Sequence, residues 1–285
     1  MLTYEVNKIN DNLYSIREDI TDNNFPVIIY LVIGKEKAAL IDTGLGTDNL
    51  KALVSTITNL PILVLHTHGH GDHIGADALF TEIYLNNKED IFSQKDENLK
   101  LASNQRISFI KKHLKNKPLI YSYIQKHIVK DRAVEYKNIQ DGDIINLGEL
   151  ELTAVSTPGH TLGSISYINQ RDKYAFTGDG IADIHWFDNE ENGSVEDFFN
   201  TLNHFESEAK DIYNIYAAHI PNPFTLKLIH DLKHAAASVL EGAQDEMEDA
   251  DYQFLIHGRL YAHRCGNATI YYNKENIYSR DAAMK

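Results

Sequence analysis

Four residues of types that bind metal ions lie close together after a short apolar run. They follow the pattern His-x-His-x-Asp-His, at His68, His70, Asp72 and His73. Imidazole nitrogens and carboxylate oxygens are ligands that suit zinc, iron or manganese. The apolar run at 62–65 predicts a buried strand that ends in a loop carrying these side chains. The spacing therefore predicts a metal site, and the alternative is a polar loop with solvated histidines.

A fifth histidine of the loop, His66, does not fit this pattern. A frame beginning at His66 would require a carboxylate at position 70, where the chain has a histidine. His66 is therefore left outside the predicted ligand set.

Further candidate ligands occur downstream, each in a short polar segment rich in glycine or proline. His160 lies in STPGHTLGS, Asp179 in FTGDG and His219 in YAAHIPNP, while Asp42 lies upstream in LIDTG. Taken separately, each has an ordinary alternative as a loop histidine or a turn-forming aspartate.

Together these segments resemble the signature of the metallo-β-lactamase superfamily, from about Val27 to His219. The resemblance implies an α/β fold, the αββα sandwich of two mixed sheets with helices on the outer faces. It implies that the first metal is held by His68, His70 and His160, and the second by Asp72, His73 and His219, with Asp179 as the bridge. Asp42 would lie beneath the site as a supporting group. Seven ligands are too many for one tetrahedral zinc, so two divalent ions are expected.

The chemistry that the resemblance implies is hydrolysis. Two cations lower the pKa of a shared water to about 7, so a metal-bridging hydroxide attacks the substrate. Zinc is expected, with iron or manganese as alternatives, and Asp72 is both a ligand and a candidate catalytic proton acceptor. Aspartate at position 179 disfavours a β-lactamase with a cysteine ligand, and Ala182 replaces a tyrosine expected of quorum-sensing lactonases. The expected substrate is a small ester, thioester or lactone.

Two alternative functions stay open. One is a phosphodiesterase or nuclease of the same superfamily, and the other is a non-catalytic metal-binding protein. The net charge of −14, from 41 acidic and 27 basic residues, repels phosphate backbones and disfavours nucleic acid as a partner. A local run of lysines at 111–117 is the exception, although such a run is usually the solvated face of a helix.

Composition also bounds location and assembly. The sequence has no apolar run of membrane-spanning length, and its N-terminus lacks the features of a signal peptide, so a cytoplasmic protein is expected. The single cysteine, Cys265, cannot form an internal disulfide. The 16 tyrosines could line a substrate pocket or a homodimer interface.

Periodicity predicts one domain over residues 1–285, with strands and helices alternating twice. A hairpin is expected around Asn10–Asn12, strands at 27–33, 38–41, 62–65 and 83–85, and an amphipathic helix at 47–59. Residues 87–130 predict a helical insertion near the active-site cleft. It would be a lid or pocket wall holding Tyr121 and Tyr123, or alternatively a surface helical hairpin.

The second half predicts strands at 144–147, 150–155, 164–168, 174–177 and 212–217, then at 252–256, 260–264 and 269–272. A capped helix is expected from Ser194 to Phe205 and another at 223–240. His185 and Trp186 follow the bridging aspartate, and they are predicted to line the substrate pocket. The alternative for Trp186, the only tryptophan, is a loop residue packed on the core.

Overall fold

The computed structural model describes residues 3–18, 26–89, 106–114, 117–188, 192–250 and 258–279. The chain divides into two compact units. The first comprises Met1–Ile139, Ile144–Leu152 and Ala218–Pro221, and the second comprises Gln140–Asp143, Thr153–Ala217 and Asn222–Lys285. The assignment of residues 1–285 to one domain stays a prediction.

A seven-stranded sheet in chain order forms the centre of the first unit. Its strands are β1 (Tyr4–Lys8), β2 (Leu13–Glu18), β3 (Val27–Ile33), β4 (Ala38–Ile41), β5 (Ile62–Leu65), β6 (Ile83–Leu85) and β7 (Tyr136–Asn138). Strands β1 to β4 pair antiparallel, and β4 to β7 pair parallel. The continuous apolar sequences of β3 and β4 fit strands that are buried on both faces. The predicted hairpin corresponds to β1 and β2, and the predicted strands at 27–33, 38–41, 62–65 and 83–85 correspond to β3 to β6. These predictions are confirmed, whereas β7 was not predicted.

The helices of the first unit are short. Helix α1 covers Leu50–Val54, so the predicted helix at 47–59 is too long. The Oγ of Ser55 and the Oγ1 of Thr56 donate to backbone carbonyls of the preceding turn, which competes with continued helix.

Two stretches of the segment predicted as a helical insertion are helical in the described part of the chain. Residues 106–113 are helical, and α2 covers Pro118–His127. Pro118 starts α2 instead of breaking a helix, because the first helical position needs no backbone N–H. Residues 90–105, 115 and 116 of the predicted insertion lie outside the described part of the chain.

The first unit also contains β8 (Ile144–Asn146) and the first two residues of β9 (Glu151–Ser156). In the second unit, β9 is followed across the sheet by β10 (Ile165–Asn169), β11 (Tyr174–Gly178) and β13 (Asn214–Ala217). Strands β9, β10 and β11 pair antiparallel, whereas β13 pairs parallel with β11.

A third sheet of four strands closes the second unit in the order β12-β16-β15-β14. The strands are β12 (Ile184–Phe187), β14 (Met247–Asp249), β15 (Arg259–Cys265) and β16 (Ala268–Tyr272). Strand β12 was not predicted, and it pairs parallel with β16. Because side chains alternate along a strand, His185 and Trp186 point to opposite faces of this sheet. The strand predicted at 252–256 lies outside the described residues.

Two longer helices pack beneath these sheets of the second unit. Helix α3 (Val195–Glu208) begins with a capping box, in which Ser194 and Asp197 each bind the other's backbone N–H. Helix α4 (Leu226–Leu240) is capped by Thr225. Their apolar faces join β12 and β16 in one core cluster, which includes Phe187, Phe198 and Ile270. None of the helices that the structure describes is long and apolar enough to cross a membrane.

Candidate metal centre

The side chains of His68 and His70 converge on one point in the first unit. Nε2 of His68 lies 3.1 Å from Nδ1 of His70. Two nitrogens that each lie 2.0–2.1 Å from a tetrahedral zinc are separated by about 3.3 to 3.4 Å. The observed spacing is close to this value, so the two rings fit a shared divalent ion with little movement.

A second group of donors in the same unit is formed by Asp72, His73 and His219. Their candidate ligand atoms all lie within 4.8 Å of one another. Oδ2 of Asp72 lies 3.5 Å from Nε2 of His219 and 3.7 Å from Nε2 of His73. One carboxylate and two imidazoles form a donor set that suits zinc, iron or manganese.

Backbone and carboxylate partners select which ring nitrogen each histidine presents. Nδ1 of His219 donates to the carbonyl oxygen of Pro26 at 2.8 Å, so Nε2 of the neutral ring carries the free electron pair. Nδ1 of His73 lies 2.8 Å from Oδ2 of Asp42 and donates to it, so Nε2 of His73 likewise carries the electron pair. Both rings therefore present Nε2 on the side where Asp72 lies.

Asp42 also acts on His68, through the hydroxyl of Thr67. That hydroxyl donates to Oδ2 of Asp42 at 2.7 Å, so its oxygen can only accept from Nδ1 of His68 at 3.1 Å. Nε2 of His68 is left as an electron-pair donor. One buried carboxylate thus sets the tautomers of two predicted ligands, which agrees with the supporting role expected for Asp42.

The charge of Asp42 is maintained although it is buried. Burial by itself would raise the pKa of this carboxyl group. The attraction of His73 and the hydrogen bonds from His66 and His73 outweigh burial and lower the pKa to about 2.

His66, left outside the predicted ligand set, belongs to the supporting network. Its ring lies between two carboxylates, 3.4 Å from Asp42 and 3.0 Å from Asp77. Burial would lower the pKa of His66, but Asp77 and Asp42 raise it to about 9. Asp77 also accepts from the hydroxyls of Tyr136 and Thr43. The sequence signal for this role is weak, because the partners of His66 are distributed from residue 42 to residue 136.

Tight backbone packing fixes the end of residues 66–75, the predicted metal-binding loop. The N–H of Gly75 donates to the carbonyl of Gly44 at 2.7 Å. A Cβ atom on Gly75 would lie 2.4 Å from the carbonyl carbon of Leu45, so only glycine fits there. Gly71, between His70 and Asp72, has open space where a Cβ would be, so close packing does not require a glycine there.

Buried Glu18 holds the turn at residues 44–47, a role that was not predicted from the sequence. Its carboxylate accepts from the N–H groups of Leu45 and Thr47, at 2.6 and 2.8 Å. Burial raises the pKa of Glu18, although these hydrogen bonds act to lower it. Its position as the last residue of an alternating strand gave no sign of this contact.

The remaining two predicted ligands lie together in the second unit. Nε2 of His160 is 3.7 Å from Oδ2 of Asp179. Gly159 has φ of 153°, and Gly178 has φ of 54°, so both turns use backbone conformations that favour glycine. The backbone carbonyl of His160 accepts from the side-chain amide of Asn192 at 3.1 Å.

The structure separates the roles of His185 and Trp186. His185 is buried against Phe198, and its Nε2 accepts from the N–H of Ala182 at 3.1 Å. Trp186 is half-buried, and its ring centroid lies 6.4 Å from that of His160. The ring of Trp186 therefore adjoins a predicted ligand, His160. Whether either residue contacts a substrate stays a prediction.

The sequence-predicted ligands thus form two groups, one in each unit. The first unit brings together His68, His70, Asp72, His73 and His219. The second brings together His160 and Asp179.

Comparison with known proteins places most of the chain in one family of sequences. The family model described as the metallo-beta-lactamase superfamily matches residues 23–207. The acyl-coenzyme A thioesterase MBLAC2 of Bos taurus is 27% identical over 202 residues, which cover 64% of this chain and 69% of that protein. The hydroxyacylglutathione hydrolase GloC of Haemophilus influenzae is 32% identical over 151 residues, covering 51% of this chain and 61% of that protein.

Solved structures show the same fold. A metallo-beta-lactamase family protein of Thermus thermophilus superposes with a TM-score of 0.57 at 20% identity, covering 82% of both chains. A metallo-beta-lactamase of Pontibacter korlensis superposes with a TM-score of 0.56 at 17% identity, covering 82% of this chain and 99% of that one. The predicted fold class is confirmed.

Proposed function

Because the chain belongs to the metallo-β-lactamase superfamily and is a hydrolase of that superfamily, we propose that it is a dinuclear metal-dependent thioester hydrolase. The thioester choice narrows the expected class of esters, thioesters and lactones. Relatives with two different names, an acyl-coenzyme A thioesterase and hydroxyacylglutathione hydrolases, support it, because both names describe acyl groups on a thiol.

The metal part of the proposal is carried by the arrangement of Asp72, His73 and His219 beside the His68–His70 pair. We propose that His160 completes the first position with His68 and His70. Asp72, His73 and His219 form the second, and Asp179 bridges the two. Family membership and the order of these residues in the chain support this assignment, and the 3.7 Å spacing of His160 and Asp179 fits two ligands of one centre.

The bound ions would activate a water and polarise the thioester carbonyl, and the thiolate would leave. We propose zinc at both positions, in line with the imidazole-rich donor set. The residues of the chain orient the centre. Asp42 holds the tautomers of His68 and His73, and the carbonyl of Pro26 holds that of His219. Asp72, partly exposed, is the group placed to accept a proton.

In the pocket, we propose that Trp186 forms an aromatic wall next to His160. His185 is buried, so its part is to hold the N–H of Ala182 and thereby the segment after Asp179. A homodimer remains a further proposal, which sedimentation velocity tests directly.

The first experiment measures metal content and turnover together. The apo-protein is reconstituted with zinc, manganese or iron, bound metal is measured by plasma mass spectrometry, and a substrate panel is assayed. The panel contains an acyl-coenzyme A, a hydroxyacylglutathione, a lactone, a carboxyl ester, a β-lactam and a phosphodiester. We expect two ions per chain and turnover of the thioesters.

The variant Asp72→Ala is compared with Asp249→Ala, which removes an exposed carboxylate of β14. We expect Asp72→Ala to lose one metal equivalent and activity, whereas Asp249→Ala retains both. Turnover of the phosphodiester alone would replace the proposal with a phosphodiesterase. Two bound metals without turnover of any substrate would favour a metal-binding role.

A further inference from the structure

The helical segment of the first unit contains an apolar cavity of about 140 Å³. It is lined by residues of the helix at 106–113, of α2 and of the position just after α2, namely Ile107, Ile110, Tyr121, Ile124, Gln125 and Ile128. It opens to solvent on one side, where Ile107 and Gln125 are exposed. The amide of Gln125 donates to the hydroxyl of Tyr121 at 3.0 Å, so the two polar groups of the wall bind each other. The remaining lining is aliphatic, which suits a hydrocarbon chain better than a polar ligand.

The two helices around this cavity pack on segments that also position the metal centre. Ile110 and Ile124 belong to one cluster with Val27 and Leu45. Val27 follows Pro26, whose carbonyl orients His219. Leu45 lies in the turn that packs against Gly75, two residues after His73. The helices therefore rest on both segments that border the predicted ligands of this unit.

Buried Arg106 fixes the helices to the metal-binding loop. Its guanidinium donates to the carbonyl of Gly75 at 3.1 Å and to the carbonyl of Val129 at 2.6 Å, and pairs with Asp131 at 2.7 Å. On the other helix, the hydroxyl of Tyr123 donates to Asp48 at 2.6 Å. Arg106, at the start of the helix at 106–113, thus joins Gly75 to the chain after α2, and Tyr123 joins α2 to Asp48. These contacts hold the two helices that line the cavity beside the metal-binding loop.

We propose that this cavity binds the acyl chain of the thioester substrate, which makes the enzyme selective for medium-length or longer aliphatic chains. This inference rests on the proposed thioester hydrolysis. Each methylene buried from water strengthens binding by about fourfold. The ratio of kcat/KM for a long acyl chain to that for a short one therefore rises with chain length until the cavity is filled.

The test fills the cavity. Ile107→Phe adds volume at a lining residue that is itself partly exposed, and Leu119→Phe makes a similar change at an exposed position of α2 outside the lining. For each variant, kcat/KM is measured with acetyl- and octanoyl-coenzyme A. We expect Ile107→Phe to lower the octanoyl-to-acetyl ratio at least about tenfold, and Leu119→Phe to leave the ratio as in the wild type. An unchanged ratio in Ile107→Phe would overturn the proposal.

A binding measurement separates this inference from the proposed function. The probe is the non-hydrolysable thioether S-octyl-coenzyme A, with S-methyl-coenzyme A as reference, and binding is measured by calorimetry. If no thioester is hydrolysed, weaker S-octyl binding in Ile107→Phe than in Leu119→Phe still supports the cavity as the chain site. Equal binding of both probes by the wild type rejects it.

A second variant, Ile110→Ala, enlarges the cavity and is expected to shift the preferred chain to a longer one. Thermal unfolding confirms that each variant is folded.

Discussion

Nδ1 of His73 lies 2.8 Å from Oδ2 of Asp42, and this carboxylate also accepts the hydroxyl of Thr67 and the backbone N–H of Thr67. A single buried charge therefore organises the loop that carries four of the predicted ligands. With an ion bound to Nε2 of His73, this would be a carboxylate–histidine–metal arrangement, in which the carboxylate fixes the ring and increases its basicity.

Replacing Asp42 by Asn should weaken metal binding without removing a ligand. The asparagine amide has one acceptor oxygen and no negative charge, so it cannot accept from Thr67 and His73 as the carboxylate does. The tautomers of His68 and His73 are then less well fixed. We expect metal affinity to fall about 10- to 100-fold, measured by competition with a chromophoric chelator. Asp11→Asn, at an exposed residue of the first hairpin, is the matched control. Wild-type affinity in Asp42→Asn would show that the ligands are set without this carboxylate.

The substitution Thr67→Val tests the hydroxyl alone, because valine has nearly the same shape. It removes the acceptor for Nδ1 of His68 and one donor to Asp42. We expect a smaller loss of metal affinity than in Asp42→Asn, confined to the ion held by His68. The free energy of unfolding should fall by about 1 to 3 kcal/mol, because a buried hydrogen-bonding group is left unsatisfied. Thr56→Val, exposed at the end of α1, is the control. Equal loss of both metals in Thr67→Val would contradict this account.

Two glycines of the same loop offer a matched pair. Gly75→Ala places a Cβ 2.4 to 2.5 Å from backbone atoms of Leu45 and Gly44, whereas Gly71→Ala meets no atom within 4 Å. We expect Gly75→Ala to lower the free energy of unfolding by about 1 to 3 kcal/mol, as overpacking in a core typically does. Gly71→Ala should change it by about 0.5 kcal/mol or less. Urea unfolding of the apo-proteins measures both, and a similar cost at the two positions would show that loop geometry is not set by this close packing.

The strand β5 and the clustering of His68, His70, Asp72 and His73 after it were predictable, because these residues lie close together in the sequence and follow an apolar run. The ligand pattern at His68 to His73 and the strand β5 are local features of the sequence. The same holds for helix α3, whose capping box and apolar face both lie within residues 194–208.

Features that depend on distant partners were not predictable. Strand β12 has four residues, and its pairing partner β16 lies more than 80 residues further on, so its sequence alone does not distinguish it from a loop. His66 could not be assigned as a supporting residue because its partners, Asp42 and Asp77, become neighbours only when β4 and β5 pair. The buried position of His185 likewise follows from β12, since alternation turns this ring toward Phe198 and turns Trp186 to the opposite face, where it packs against Ala250 and Leu260.

The burial of His185 makes stability depend on pH. Burial lowers the pKa of this imidazole to about 3, against the weaker attraction of Asp179. The native ring therefore stays neutral, whereas the unfolded chain binds a proton near pH 6.5. The stabilising contribution of the neutral ring is present above pH 6.5 and is lost progressively as the pH falls toward 3. Between pH 7 and pH 5 the loss from this residue is about 2 kcal/mol.

The variant His185→Gln isolates this contribution, because an amide can accept from the N–H of Ala182 but does not titrate. We expect the free energy of unfolding of the wild type to fall by about 2 kcal/mol more than that of His185→Gln between pH 7 and pH 5. Losses from the predicted metal-binding histidines occur in both proteins and cancel in the difference. His230→Gln, at an exposed residue of α4, should behave as the wild type. Parallel pH profiles for the wild type and His185→Gln would mean that the ring is protonated in the folded protein, and hence that it is not enclosed between Phe198 and the backbone of Ala182.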